Sequence, residues 1–178
     1  MDESPADNIS RLRERVSAKK GVVVAELQVG DRAPAFELPG DGGGKIALPT
    51  ADGRAFVLFF YPQDDTETCT NEAIGFSALK AEFDRLGITV VGISPDSARS
   101  HRRFKAKHSL TVDLAADEDR RVIDAYGVWA ERTTFGRTYM GVVRTTFLVG
   151  HDGRIASVWR NMRVKTHPAE VLEAAKAL

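Results

Sequence analysis

The chain of 178 residues contains a single cysteine, Cys69. One thiol cannot close an internal disulfide, nor can it complete a structural zinc cage of sulfur ligands. His101, His108, His151 and His167 show no paired zinc spacing and read as surface or capping side chains, so neither a metal nor another cofactor is expected. An excess of charge is missing too: 25 basic residues balance 25 acidic ones, leaving no field to attract nucleic acid or anionic lipid. The longest apolar run, Ala55 to Tyr61, is far below the roughly 20 residues a membrane helix needs. Met1 to Asn8 carry acids and a proline in place of a basic start followed by an apolar stretch, which argues against a secretory leader. A lone thiol in such a chain points to a reducing compartment, the cytoplasm.

Two further patterns are incomplete. Gly40 to Lys45 resembles a phosphate loop, but Pro39 stands where the first glycine belongs and Ile46 follows the lysine where Ser or Thr is required. Asp113, Asp117, Glu118 and Asp119 lack the central glycine and terminal glutamate of a calcium loop, and read as a solvated turn and helix start. Trp129 and Trp159 read as core or rim residues.

What is present suits one globular domain over residues 27–178, preceded by an extension over 1–26. In the extension, Ile9, Leu12 and Val16 recur at helical spacing, which predicts a thin amphipathic helix from Asn8 to Lys19; a partly ordered tail is the other reading. Ala55 to Tyr61 is rich in aromatic and β-branched residues and reads as a strand buried on both faces. Phe76, Leu79, Phe83 and Leu86 mark one face of a helix from about Glu67 to Leu86, stopped by Gly87. A strand over Ile88 to Ser94 follows, then a helix capped by Asp96 or Ser97 and ending near His108, then a short strand over Val112 to Ala116. Val142 to Val149 and Arg154 to Trp159 flank a turn, Gly150 to Gly153, and Pro168 opens a last helix. This order predicts an α/β fold, a mixed β-sheet sandwiched by helices.

The cysteine gains meaning from its place. A buried strand leads straight into the first turn of the next helix, where unpaired N–H groups and the positive end of the dipole favour a thiolate, the nucleophilic form. Thr66 is the expected N-cap, its hydroxyl either satisfying a backbone N–H or pointing at the sulfur. Arg144 interrupts an apolar, β-branched strand, so its guanidinium either meets an anion or sits at an edge facing water.

Pro62, Thr66 and Cys69 together fit the PxxxTxxC signature, and on these residues the chain resembles the peroxiredoxins. Gly30 to Phe36 looks like the opening segment of that family. Cys69-Thr70-Asn71-Glu72-Ala73 and Tyr139 to Leu148 are similar to the bacterioferritin comigratory protein, or PrxQ, branch. The resemblance implies a thioredoxin-like fold and a thiol-dependent peroxidase in which Cys69 is the peroxidatic cysteine, Pro62 shields it, and Thr66 and Arg144 help to hold the peroxide. The chain departs from the branch at Ile74, five residues past Cys69, where a partner cysteine is often found, and at Glu67-Thr68, where many relatives carry proline and glycine. With no second thiol, turnover on hydrogen peroxide or an organic hydroperoxide requires an external thiol reductant such as thioredoxin or glutathione. Two rival readings are a cysteine hydrolase, which would need a histidine base, and a thioredoxin-like redox sensor or binding module with negligible turnover. Monomer and homodimer both stay open.

Overall fold

The computed structural model describes residues 26–178, so the helix expected over Asn8 to Lys19 lies outside the described residues. In chain order, a hairpin of β1 (Phe36–Pro39) and β2 (Lys45–Leu48) leads to β3 (Ala55–Phe60), α1 (Glu67–Arg85), β4 (Ile88–Ser94), α2 (Ala98–His108) and β5 (Asp113–Ala116). The short α3 (Arg121–Ala125) is followed by a hairpin of β6 (Trp129–Thr134) and β7 (Arg137–Val142), then by β8 (Thr145–Val149), β9 (Ile155–Arg160) and α4 (His167–Ala175). The main sheet has the order β5-β4-β3-β8-β9, with β3, β4 and β5 parallel and β8 and β9 antiparallel. Among the described residues no helix is long and apolar enough to cross a membrane.

β3 explains why the sheet is covered on both sides. Phe56, Leu58 and Phe60 pack into one apolar cluster, while Ala55, Val57, Phe59 and the following Tyr61 pack into the other, the period of two that a strand imposes. The second cluster gathers Phe76 and Phe83 of α1, Phe104 of α2, and Val171 and Leu172 of α4. The first gathers Phe36, Leu38 and Leu48 from the β1–β2 hairpin with Val122 and Ile123 of α3. Each fully buried large side chain contributes about 1.5–3 kcal/mol, so β3 alone carries a large share of the stability and fixes where its C-terminal end must lie.

Several sequence expectations match this arrangement. The strand, helix, strand, helix, strand succession and the closing hairpin are present. Gly87, at φ 72°, ends α1 by adopting the left-handed conformation, and Ser97, not Asp96, caps α2 by accepting from the Ser100 N–H. Other expectations are corrected. Leu86 caps the C-terminus of α1 and is exposed instead of joining the apolar face. The strand expected over Val142 to Val149 is two strands, because the chain leaves the β6–β7 hairpin at Val142 and joins the main sheet at Thr145. The glycine cluster at Gly40 to Gly44 is the β1–β2 turn. Asp117 is buried, not solvated, and accepts from the Ile123 N–H to hold the start of α3.

Gly92 in β4 shows how tightly the α1 side is packed. A Cβ there would meet Phe59 Cζ at 2.6 Å and Leu114 Cδ2 at 2.9 Å, and the Phe59 ring is itself stacked on Phe76 at 4.8 Å. Gly92→Ala should therefore cost about 1–3 kcal/mol through overpacking, read as a lower urea midpoint with an unchanged denaturant slope.

Candidate active site

The parallel strand β3 ends at the same edge of the sheet where antiparallel β8 begins, since Phe60 pairs with Thr145. Chain leaving β3 and chain entering β8 thus meet, although 75 residues separate Cys69 from Arg144. After Tyr61 a short loop leads to Thr66 at the N-cap and Cys69 in the first turn of α1. Thr66 holds the expected N-cap position, but its hydroxyl donates to the Gln63 carbonyl at 3.0 Å and makes no cap bond. Asp65 takes a left-handed conformation, φ 61°, which Asp tolerates better than most residues.

Arg144 lies in the two-residue break between β7 and β8, so the expectation of a residue within a continuous strand, or at an edge facing water, is corrected. The break frees its side chain from the alternation of a strand and turns it inward. Nη2 donates to Cys69 Sγ at 3.1 Å, and Nη1 donates to Glu72 Oε1 at 3.1 Å. Cys69 and Glu72 are three apart, hence neighbours on one face of α1. Burial works against the Arg144 charge, but the Glu72 carboxylate and the Cys69 sulfur outweigh it and hold the guanidinium above its ordinary range.

Sequence reasoning missed Glu72. It is fully buried, and its Oε2 has no hydrogen-bond partner among the described residues. Burial pushes its carboxyl up to about 7 against the downward pull of Arg144. A glutamate on the face of a helix otherwise given to Cys69, Ala73 and Phe76 was the available signal. Beneath this cluster His167 donates to or accepts from Thr146 Oγ1 through Nε2 at 2.8 Å, and burial pushes it down to about 4.

The histidines correct the reading of surface or capping side chains, because His101 and His167 are both fully buried. Neither bonds the sulfur. His101 Nδ1 lies 2.8 Å from Asp64 Oδ2, in the loop between β3 and α1. Trp129 and Trp159 are half-buried, and the Arg120 guanidinium stands 4.2 Å above the centre of the Trp129 ring. Pro62 is half-buried at the head of the loop. Ile74 is exposed and lines, with Thr68, Asn71 and Val164, an open groove of about 450 Å³ beside the first turns of α1. Among the described residues no cluster of three or more His, Cys, Asp or Glu is disposed to hold a metal.

A model of the AhpC/TSA family matches residues 29–158. The chain belongs to that family. Within it the chain is 40% identical over 150 residues to peroxiredoxin Bcp of Bacillus subtilis, which covers 84% of this chain and 96% of that protein. Among solved structures, a cysteine-to-serine mutant of PrxQ from Xylella fastidiosa is 33% identical with a TM-score of 0.80, covering 86% of this chain and 98% of that one. A Xanthomonas campestris bacterioferritin comigratory protein, studied for its alkyl peroxide reduction activity, is 36% identical with a TM-score of 0.75, covering 80% and 90% of the two chains. The thioredoxin-like peroxiredoxin fold and the peroxiredoxin class of this enzyme are therefore established.

Glu72 and His167 link stability to pH in opposite senses. Between an ordinary 4.5 and about 7 the folded chain keeps a proton on Glu72 that the unfolded chain has lost, so this contribution is lost as pH rises. Between an ordinary 6.5 and about 4 the folded chain lacks a proton on His167 that the unfolded chain carries, so that contribution is lost as pH falls. The wild type should show a shallow pH dependence. Glu72→Gln should leave stability rising with pH across this window, the difference from wild type changing by on the order of 3 kcal/mol, as measured by urea unfolding from pH 4 to 7.5.

Proposed function

We propose that Cys69 reduces hydrogen peroxide and organic hydroperoxides by direct attack and is restored by an external thiol. One observation carries the reading: from 75 residues away in sequence a guanidinium N–H is delivered 3.1 Å from the sulfur. In the first step the thiolate attacks the terminal oxygen of the hydroperoxide; an S–O bond forms, the O–O bond breaks, and an alkoxide or hydroxide leaves and takes up a proton. Arg144 holds the sulfur in place and offers a fixed positive charge as negative charge moves toward the leaving oxygen. The free N–H groups of the first turn of α1 act in the same direction.

Thr66 takes a role narrower than a general donor. Because its own hydrogen is given to the Gln63 carbonyl, its oxygen is left to accept from the peroxide O–H. Pro62, at the head of the loop, shields the sulfur from water. The sulfenic acid then meets a thiol such as glutathione or a dithiol protein such as thioredoxin: an S–S bond forms, hydroxide leaves, and a second thiol releases Cys69. That dependence suits a cytoplasmic setting, with the enzyme acting as a monomer or homodimer. Turnover is favoured over a pure sensor role by the relatives, and over hydrolysis by a sulfur whose partner is Arg144 and not a histidine base.

Arg144→Ala should slow Cys69 oxidation by hydrogen peroxide about 100-fold with an unchanged circular dichroism spectrum, followed by stopped flow and by intact mass for the added oxygen. Thr66→Val should lose less, about tenfold. An unchanged rate in Arg144→Ala would remove Arg144 from the mechanism.

A further inference from the structure

Over the whole chain basic and acidic residues cancel, but α2 does not share the balance. It holds no Asp or Glu; His101 and Phe104 turn inward, while Arg99, Arg102, Arg103 and Lys107 are exposed. The helix gains no stability from that choice. Arg99 lies in the first turn, at the positive end of the helix dipole, where a cation is unfavourable. Arg99, Arg103 and Lys107 follow at i, i+4 spacing, so each stands one turn from a like charge. Other cations of α2 meet acids on neighbouring elements: Lys105 pairs with Asp41, and Lys107 with Asp65. The side chains of Arg99, Arg102 and Arg103 make no ion pair or hydrogen bond among the described residues.

This basic face adjoins the reactive cysteine. Asp65, shortly before Cys69, accepts from Lys107 Nζ and lies 2.6 Å from His108 Nε2, and Ser100 Oγ donates to Asp64 at 2.8 Å. An open hollow of about 320 Å³ lies where these groups meet, with Arg103 and Phe104 in its wall. Both aspartates there already have cationic or histidine partners, which leaves the Arg103 charge unmatched. On the other flank of the cysteine, exposed Lys165 lines the groove that includes Thr68 and Asn71. Glu67, exposed at the start of α1, is a counter-charge between the two flanks.

The one thiol described is the one that becomes oxidised, so reducing power arrives on another molecule. Building on the peroxidase reading, we propose that the face of α2 carrying Arg99, Arg103 and Lys107 is the docking surface for a dithiol protein whose reactive thiol is ringed by carboxylates. From Arg99 to Lys107 the face runs about 12 Å along the helix, farther than the carboxylates of a small thiol span. A protein seated over Cys69 reaches it, since one side of a specific complex covers about 800 Å². The docked thiolate attacks the sulfenic sulfur: an S–S bond forms, the S–O bond breaks, and hydroxide leaves and takes up a proton. The partner's second thiol then takes over the disulfide and releases the Cys69 thiolate, so the partner loses the two electrons that Cys69 gains. The arginines raise the encounter rate and fix the partner's orientation.

Three peptides test this, each with one cysteine flanked by four glutamates, four glutamines or four lysines. Cys69 is first oxidised with one equivalent of hydrogen peroxide, and the mixed disulfide formed with each peptide is followed by quenched flow and intact mass, with rates compared per thiolate. At low salt the glutamate peptide should react about tenfold faster than the glutamine peptide, and the lysine peptide slower than either, with the spread closing as salt is raised. Arg103→Glu should cut the advantage of the glutamate peptide, and Arg99→Glu added to it should remove that advantage. Ranking the peptides within one variant makes the result independent of how fast its sulfenic acid reacts. Arg85→Glu makes the same change of charge at the far end of α1 and should leave the ranking as in the wild type. If the peptides react alike with the wild type, if none reacts, or if Arg85→Glu disturbs the ranking as much as Arg103→Glu, the docking surface is overturned. Equal peptide rates with retention of single-stranded DNA at physiological salt that Arg103→Glu abolishes would overturn it too, giving the face to nucleic acid. Should peroxide add no oxygen to wild-type Cys69, the peroxidase reading falls, and the docking surface with it.

Discussion

Burying a guanidinium is costly unless its charge is met, and in this protein the charge of Arg144 is met by one carboxylate and one sulfur on a single face of α1. Much of the architecture is arranged around that encounter. α1 must present Cys69 and Glu72 one turn apart toward the sheet. β8 must run antiparallel to β3, because a parallel strand would start at the opposite edge and carry Arg144 away from the loop. The chain must also break its pairing at Val143 and Arg144, so that the side chain escapes the in-and-out alternation of the strands on either side. Glu72 completes the balance at the cost of an oxygen, Oε2, buried with no partner among the described residues, and that burial pushes its carboxyl up to about 7 against the pull of Arg144.

How much of this could be read beforehand follows from the range of the interactions. β3 was legible because its run of apolar residues, with Tyr61 included, announces burial on both faces without reference to any neighbour. The places of Cys69 and Thr66 at the start of α1 were legible because a helix start after a buried strand is a local pattern, Pro62 stood out only through the resemblance, and Arg144 did because a charge among β-branched residues is conspicuous. Glu72 was not, since a glutamate in the first two turns of a helix is ordinarily a surface residue favoured by the dipole, and only a partner 72 residues away makes burial tolerable. His101 fails to stand out for the same reason: its partners, Asp64 and the Ala115 carbonyl, are brought together by tertiary packing. The β6–β7 hairpin was hidden by composition, its strands being polar and largely exposed.

The loss of a second cysteine changes what the same fold must do. Ile74 occupies the helix position where a resolving thiol would lie, and it is exposed beside the groove that includes Thr68 and Val164. An internal partner would supply its sulfur at an effective concentration no free thiol can match. Without one, the oxidised enzyme depends on the concentration of an outside donor.

Two buried polar clusters flank the reactive turn, Arg144 with Glu72 on one side and Asp64 with His101 on the other. The Arg144 and Glu72 side grips the sulfur, Arg144 directly and Glu72 through Arg144. The Asp64 and His101 side fixes the backbone ahead of the sulfur, with Tyr61 and Ser100 also bonded to the Asp64 carboxylate. Were both made of exposed pairs, salt and solvent would leave the turn loose and the guanidinium poorly aimed. Were the whole loop sealed with apolar packing, the sulfur would be aimed well and rescued slowly. Buried hydrogen-bonded pairs differ from both alternatives in being directional when intact and costly when half broken, so the turn is aimed without being sealed.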